Sequence, residues 1–366
     1  MNKNDSNRIY QIDLFRFLAA LSVVLFHYLF RGYASKNLST LNFSEVGDFF
    51  KYGHLGVELF FIISGFVISL SIKEKSLTQF VISRISRLYP IYWICALLTF
   101  ITITLFGAPR FTAQLSDFFL NLTMFQNYLR IKNIDGVYWT LFIEMKFYIF
   151  IIGTYLILNK IKEFKIDYLI YSWTFLSVLY IFVGSFSFAK AINSILTLNW
   201  ASYFIAGMVF YQIYKNKLAP RYIVLLLISL AVSLYHAISK IDALESEYNT
   251  PFSPSIIATI ITLFYLIMFL VSNNKLKSIN SPKLIKLGML TYPLYLLHHN
   301  IGFIAFNNLD GYTNKYIIVT TTIIIMLFLS FILSRSYEPK VSGFLKKKLQ
   351  ILAKKINSTR PRNKTY

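Results

Sequence analysis

The stretch "RFLAALSVVLFHYLF", residues 16–30, is apolar enough to cross a membrane, yet it holds Arg16 near one end and His27 near the other. Both side chains are costly in hydrocarbon. Eleven residues at about 100° each make three turns plus about 20°, so the two share one helix face, roughly 16 Å apart. A polar face of that length reads as the lining of a wet interior. The bland alternative is an arginine and a histidine that each snorkel to an interface.

The rest of the chain agrees with a membrane setting. Of 366 residues, 56% are hydrophobic and 14% charged, where a soluble domain has about a quarter charged. Apolar runs of about 20 residues span a bilayer as helices. Ten candidates occur, at 9–31, 55–72, 88–106, 138–158, 166–186, 195–214, 220–239, 255–273, 286–308 and 315–334. The expected fold is therefore an all-α polytopic membrane protein of about ten transmembrane helices. The segment "SLTQFVISRISRLYP" reads as an amphipathic interfacial helix that stops at Pro90. The stretch 107–137 contains "QLSDFFLNLTMFQNYL", which reads as an interfacial or re-entrant helix. The first apolar run lacks a small-residue exit, so it reads as a retained span rather than a cleaved signal. No fused soluble domain is expected. The single cysteine, Cys95, excludes an internal disulfide and a CxxC metal site.

Lys and Arg set the orientation. With the N-terminus inside, the inner segments hold Lys73, Lys75, Arg84, Arg87, Lys215, Lys217, Arg221, Lys275, Lys277 and a basic tail, while the outer ones hold scattered cations such as Arg31, Lys51 and Lys240. Both termini are then cytoplasmic. The net charge of +21 becomes a matter of topology and anionic lipid rather than of nucleic acid.

This orientation places polar residues by depth. Glu58 opens the second span near the outer face, beside the end of the first, where a carboxylate would orient His27 as a general base. Glu144 lies about two turns into the fourth span. His298, His299 and Asn300 fall in the outer half of the ninth. Two histidines and two carboxylates also suit a metal, but no HxxxH or HExxH pair is present. On the inner side Arg84 and Arg87 share a helix face, and paired guanidiniums suit a phosphorylated ligand.

These pieces resemble the acyltransferase 3 family of bacterial integral membrane enzymes. The matching motifs are the R-x10-H of Arg16 and His27, "GVELFFIISGF", the R-x-x-R of Arg84 and Arg87, "YWTLFIEMKFY", "YPLYLLHH" and "SYEPK" with Glu338 and Pro339, in family order. The resemblance implies a membrane domain over 9–339 with a basic cytoplasmic tail, 340–366, in the bacterial inner membrane. It implies acetyl or another acyl group moving from cytoplasmic acyl-CoA, a co-substrate with no bound cofactor, to a hydroxyl of an envelope polysaccharide or glycolipid, with an O-antigen or capsule sugar favoured. It implies catalytic roles for His27, Glu58 and Glu144, donor binding by Arg16, Arg84 and Arg87, and acceptor-binding or supporting roles for Tyr138, Trp139, His298, His299, Asn300 and Glu338. Lys146 departs from the family pattern, because it sets a cation two residues from Glu144. The rival reading is a transporter of a glycolipid or small anion, which the lack of an inverted repeat disfavours.

Overall fold

The structure, a computed structural model, describes residues 8–35, 38–74, 76–161 and 165–359. Helices cover nearly all of it, and no strand occurs among the described residues. Long helices coincide with all ten expected spans: α1 (Tyr10–Ala34), α2 (Gly56–Glu74), α3 (Leu77–Phe106), α4 (Trp139–Ile161), α5 (Ile166–Val183), α6 (Leu198–Asn216), α7 (Pro220–Ile238), α8 (Pro254–Ser272), α9 (Ile285–Leu309) and α10 (Lys315–Ile332). Eight segments among the described residues are long and apolar enough to cross a membrane. The number is nine if α6 is joined to the helix Ser187–Leu196, from which it bends by 41°. The one left out is α9, whose apolar course is broken by Thr291, His298, His299 and Asn300, all buried against protein. This is an all-α polytopic membrane protein.

Two expectations need correction. The helix that was to stop at Pro90 runs on to Phe106, so the amphipathic segment and the third span are one helix, α3. Its start is pinned by Ser76 and Gln79, which cap each other's backbone N–H groups. Pro90, Ile91 and Tyr92 are buried, and helix packing overrides the missing N–H, as is common in membrane spans. The 107–137 stretch forms only a short helix, Leu115–Asn121, and a 3-10 turn, Gln126–Leu129. Asn121 ties it together: its amide donates to the Asp117 and Lys132 carbonyls and its oxygen accepts from the Ile134 N–H. The tail continues from α10 through a π turn, Leu333–Tyr337, into α11 (Glu338–Thr359). The last expected tail residues, 360–366, lie outside the described residues.

Close approach of backbones sets the arrangement. A Cβ on Gly207 of α6 would stand 1.9 Å from the Ile62 carbonyl of α2, so α2 and α6 lie nearly in backbone contact. Small residues permit such contacts where apolar burial drives nothing. On the other side α1 packs on α9, and α9 on α3 and α10. A Cβ on Gly302 of α9 would meet the Tyr28 hydroxyl at 2.3 Å. Its absence lets that hydroxyl reach the His298 carbonyl at 2.6 Å. This contact fixes the register of α1 against α9 and brings His27 beside His298.

Candidate active site

His27 opens a π turn, His27–Arg31, inside α1. Single π turns often mark functional positions. The His27 ring is buried, and both of its nitrogens are engaged. Nδ1 lies 2.8 Å from Nε2 of His298. Nε2 lies 3.4 Å from Nη1 of Arg31.

The neighbours decide where the protons sit. Nδ1 of His298 faces two carbonyls, those of Tyr295 at 2.8 Å and Leu294 at 3.1 Å. A carbonyl only accepts, so Nδ1 of His298 carries its proton and Nε2 accepts. Nδ1 of His27 must then donate, which leaves the lone pair of the neutral ring on Nε2. His299 follows the same logic. The Asn300 amide donates to the Ile134 carbonyl at 2.8 Å, so its oxygen accepts from His299 Nδ1 at 2.7 Å. Nε2 of His299 then accepts from Nη1 of Arg31 at 3.2 Å. Two histidine lone pairs thus converge on one guanidinium.

Behind His299 stands Asp135, which is fully buried and whose Oδ1 is 3.4 Å from His299 Nδ1. The backbone N–H groups of Asn300 and Val137 donate to it. Burial pushes its carboxyl up to about 7, against those two hydrogen bonds. A carboxyl with a higher pKa folded than unfolded holds its proton more tightly in the native state. Its contribution to stability is therefore full below the unfolded value and is lost as pH rises through about 7. Thermal unfolding in detergent is expected to show this fall, and Asp135→Asn to flatten it.

A cavity of about 300 Å³ lies beside His27. His27, Arg31, Glu58, Trp139, Trp200 and Lys240 line it. Glu58 was expected to orient His27. Instead the His27 nitrogens are occupied by His298 and Arg31, and the Glu58 side chain faces the cavity. It is 5% exposed, and its Oε2 has no hydrogen-bond partner among the described residues. Lys240 lies 3.4 Å over the Trp200 ring, and Trp139 packs on Trp200 at 5.4 Å. Tyr138 does not reach the cavity and packs on Tyr92. Among the described residues no His, Cys, Asp and Glu group is arranged to hold a metal ion.

At the Arg16 end a second cavity of about 360 Å³ is lined by Arg8, Asp13, Arg16, Arg87, Tyr292 and Glu338. Arg8 pairs with Asp13 at 2.9 Å. Arg84 does not share this wall. Its guanidinium is buried, donates to Ser71 Oγ at 2.6 Å and lies over the rings of Phe80 and Tyr148. Glu144 is also displaced from the expected grouping. It accepts from Ser64 Oγ at 2.7 Å and from the Tyr148 hydroxyl, and it shares two small cavities with Arg16 rather than the His27 cavity. The difficulty posed by Lys146 disappears, because its ammonium stands 4.1 Å over the Phe142 ring.

Neighbouring cavities share wall residues. Arg16, Arg87 and Tyr292 line both the large cavity and a small one, and Arg16, Glu144 and Tyr292 continue into another. Val57 and Tyr295 line both that one and the His27 cavity. Cavities that share walls thus run from a cationic opening to His27, whose Nε2 lone pair rests on Arg31.

The model of a family described as an acyltransferase domain matches residues 9–335. The chain belongs to this acyltransferase family. A curated relative, named "Putative acetyltransferase ORF330" from Acidianus two-tailed virus, is 26% identical over 223 residues, which cover 59% of this chain and 61% of the relative. No solved structure matches. Arg31, Asp135, Lys240 and Trp200 of this chain were missed by the sequence reading. Arg31 looked like one more loop cation. The signal for Asp135 was faint: an acidic residue just ahead of the fourth span.

Proposed function

We propose that this acyltransferase moves an acyl group, acetyl favoured, from acyl-CoA to a hydroxyl of a sugar in an envelope polysaccharide or glycolipid. The observation that carries the reading is the row of cavities with shared walls from the arginine-rich end of α1 to His27. The CoA phosphates would meet Arg8, Arg16 and Arg87 on the cytoplasmic side. The pantetheine arm would run past Tyr292 and Tyr295, and the thioester would reach His27 in the inner membrane. Glu58, Lys240 and the paired indoles of Trp139 and Trp200 suit a sugar ring, with polar groups for its hydroxyls and flat apolar faces for its carbons. His27 Nε2 would take the acceptor proton, with His298 holding the tautomer. Glu144 would brace Ser64 and Tyr148 along the route, and Glu338 would balance the arginines.

The test is transfer of labelled acetyl from acetyl-CoA by protein purified into lipid discs, paired with mass spectrometry of envelope glycans from cells with and without the gene. No thioester consumption and unchanged glycans would refute the reading. The geometry also separates two arginines. Arg87→Lys keeps the charge but loses the planar fork, so it is expected to raise the KM for acetyl-CoA. Arg84→Lys should act through stability, as a lost bond to Ser71. Equal KM effects in both variants would count against this division.

A further inference from the structure

We infer that Arg31 is a catalytic residue that stabilises the oxyanion of acyl transfer; this rests on the acyl-CoA reading above. Three observations lead to it. Nη1 of Arg31 lies on the lone pair of His27, 3.4 Å away, and on that of His299, 3.2 Å away. Its buried Nε–H has no acceptor among the described residues. Its Nη2 stands 3.7 Å from the carboxylate of Glu247, which lines the same cavity.

A guanidinium has five donors and no acceptor, and it stays charged in proteins. It can rest on Nε2 of His27 only while that nitrogen is unprotonated. When Nε2 takes the proton of the acceptor hydroxyl, the Arg31 bond to it must break. At that moment the hydroxyl oxygen bonds to the thioester carbon and the carbonyl electron pair moves onto oxygen. The released donor of Arg31 and its unpaired Nε–H are then next to the only new negative charge in the cavity. His299 and Glu247 hold the guanidinium in place during the exchange. The intermediate collapses as the C–S bond breaks, and the CoA thiolate leaves with the proton from His27. Atoms and charge balance with acyl-CoA and the hydroxyl as sole reactants.

The test uses full-length protein in lipid discs. Arg31→Ala is expected to lower kcat by about 10²–10³-fold, the usual loss for one oxyanion donor, with the KM values for both substrates little changed. Millimolar guanidinium chloride should restore part of the rate, where sodium chloride at equal ionic strength does not. A merely structural role would not respond to that cation. Unfolding temperature measured alongside reports whether Arg31→Ala is folded. If wild-type protein transfers acetyl and Arg31→Ala keeps its kcat, or loses only KM, or is not restored by guanidinium, the assignment of Arg31 fails while the acyltransferase reading stands. Wild-type protein that consumes no acetyl-CoA would sink both.

Discussion

His27→Ala is expected to lower acetyl transfer by about 10²–10⁴-fold, the contribution of a well-placed general base. The neighbours leave a lone pair on Nε2 of His27, and His27 lines the cavity. Expression and membrane insertion should stay near wild type. The ring makes side-chain contacts, but the register of α1 against α9 rests on Tyr28 and Gly302. The variant does leave Nε2 of His298 without its donor, at a cost of about 1–3 kcal/mol. A modest drop in unfolding temperature should therefore accompany the loss of rate. The measurement is initial rate with labelled acetyl-CoA in lipid discs, beside thermal unfolding of the same samples. Retention of more than about a tenth of the wild-type rate would remove His27 from the base role.

The second large effect is expected at His298, which does not line the His27 cavity but touches Nδ1 of His27. His298→Ala removes the acceptor that holds the proton on Nδ1 of His27. The ring can then place its proton on Nε2, where it is useless as a base. A wrong tautomer in a comparable histidine dyad costs about 10⁴ in kcat, and a loss above about 10²-fold is expected here because the freed ring still samples the productive form. His298→Gln is the informative partner. Its amide can donate to the Tyr295 or Leu294 carbonyl and accept from His27 Nδ1, reproducing the relay. It should recover much of the rate that alanine loses. The two variants measured at saturating substrate decide the matter: equal loss in both would mean that His298 only fills space.

The membrane character, the helical class and the family were all legible in the chain. Spans need runs of apolar residues, and such runs are read without knowing what packs on what. The spacing of Arg16 and His27 was legible for the same reason, since both lie on one helix whose geometry is local. Partners across helices were less visible. Depth arguments put Glu58, Glu144 and the histidine pair at similar levels, but depth does not fix rotation about each helix axis. Glu144 turned to Ser64 and Tyr148, and Glu58 to the cavity. Pro90 misled because the residue rule for helix ends assumes water, whereas α3 is held by buried packing on both sides of it.

The sequence by itself determined which segments are helices in a bilayer and which polar residues they carry inward, because hydrocarbon leaves the backbone few alternatives. Only the tertiary structure decided who meets whom. The missing Cβ at Gly302 set one helix against another, two backbone carbonyls set the protons of His298, and those set the reactive nitrogen of His27. Arg31 and Asp135 joined the site from the end of a helix and from a loop. Their places depend on contacts between residues more than a hundred positions apart in the chain, and no local pattern encodes such contacts.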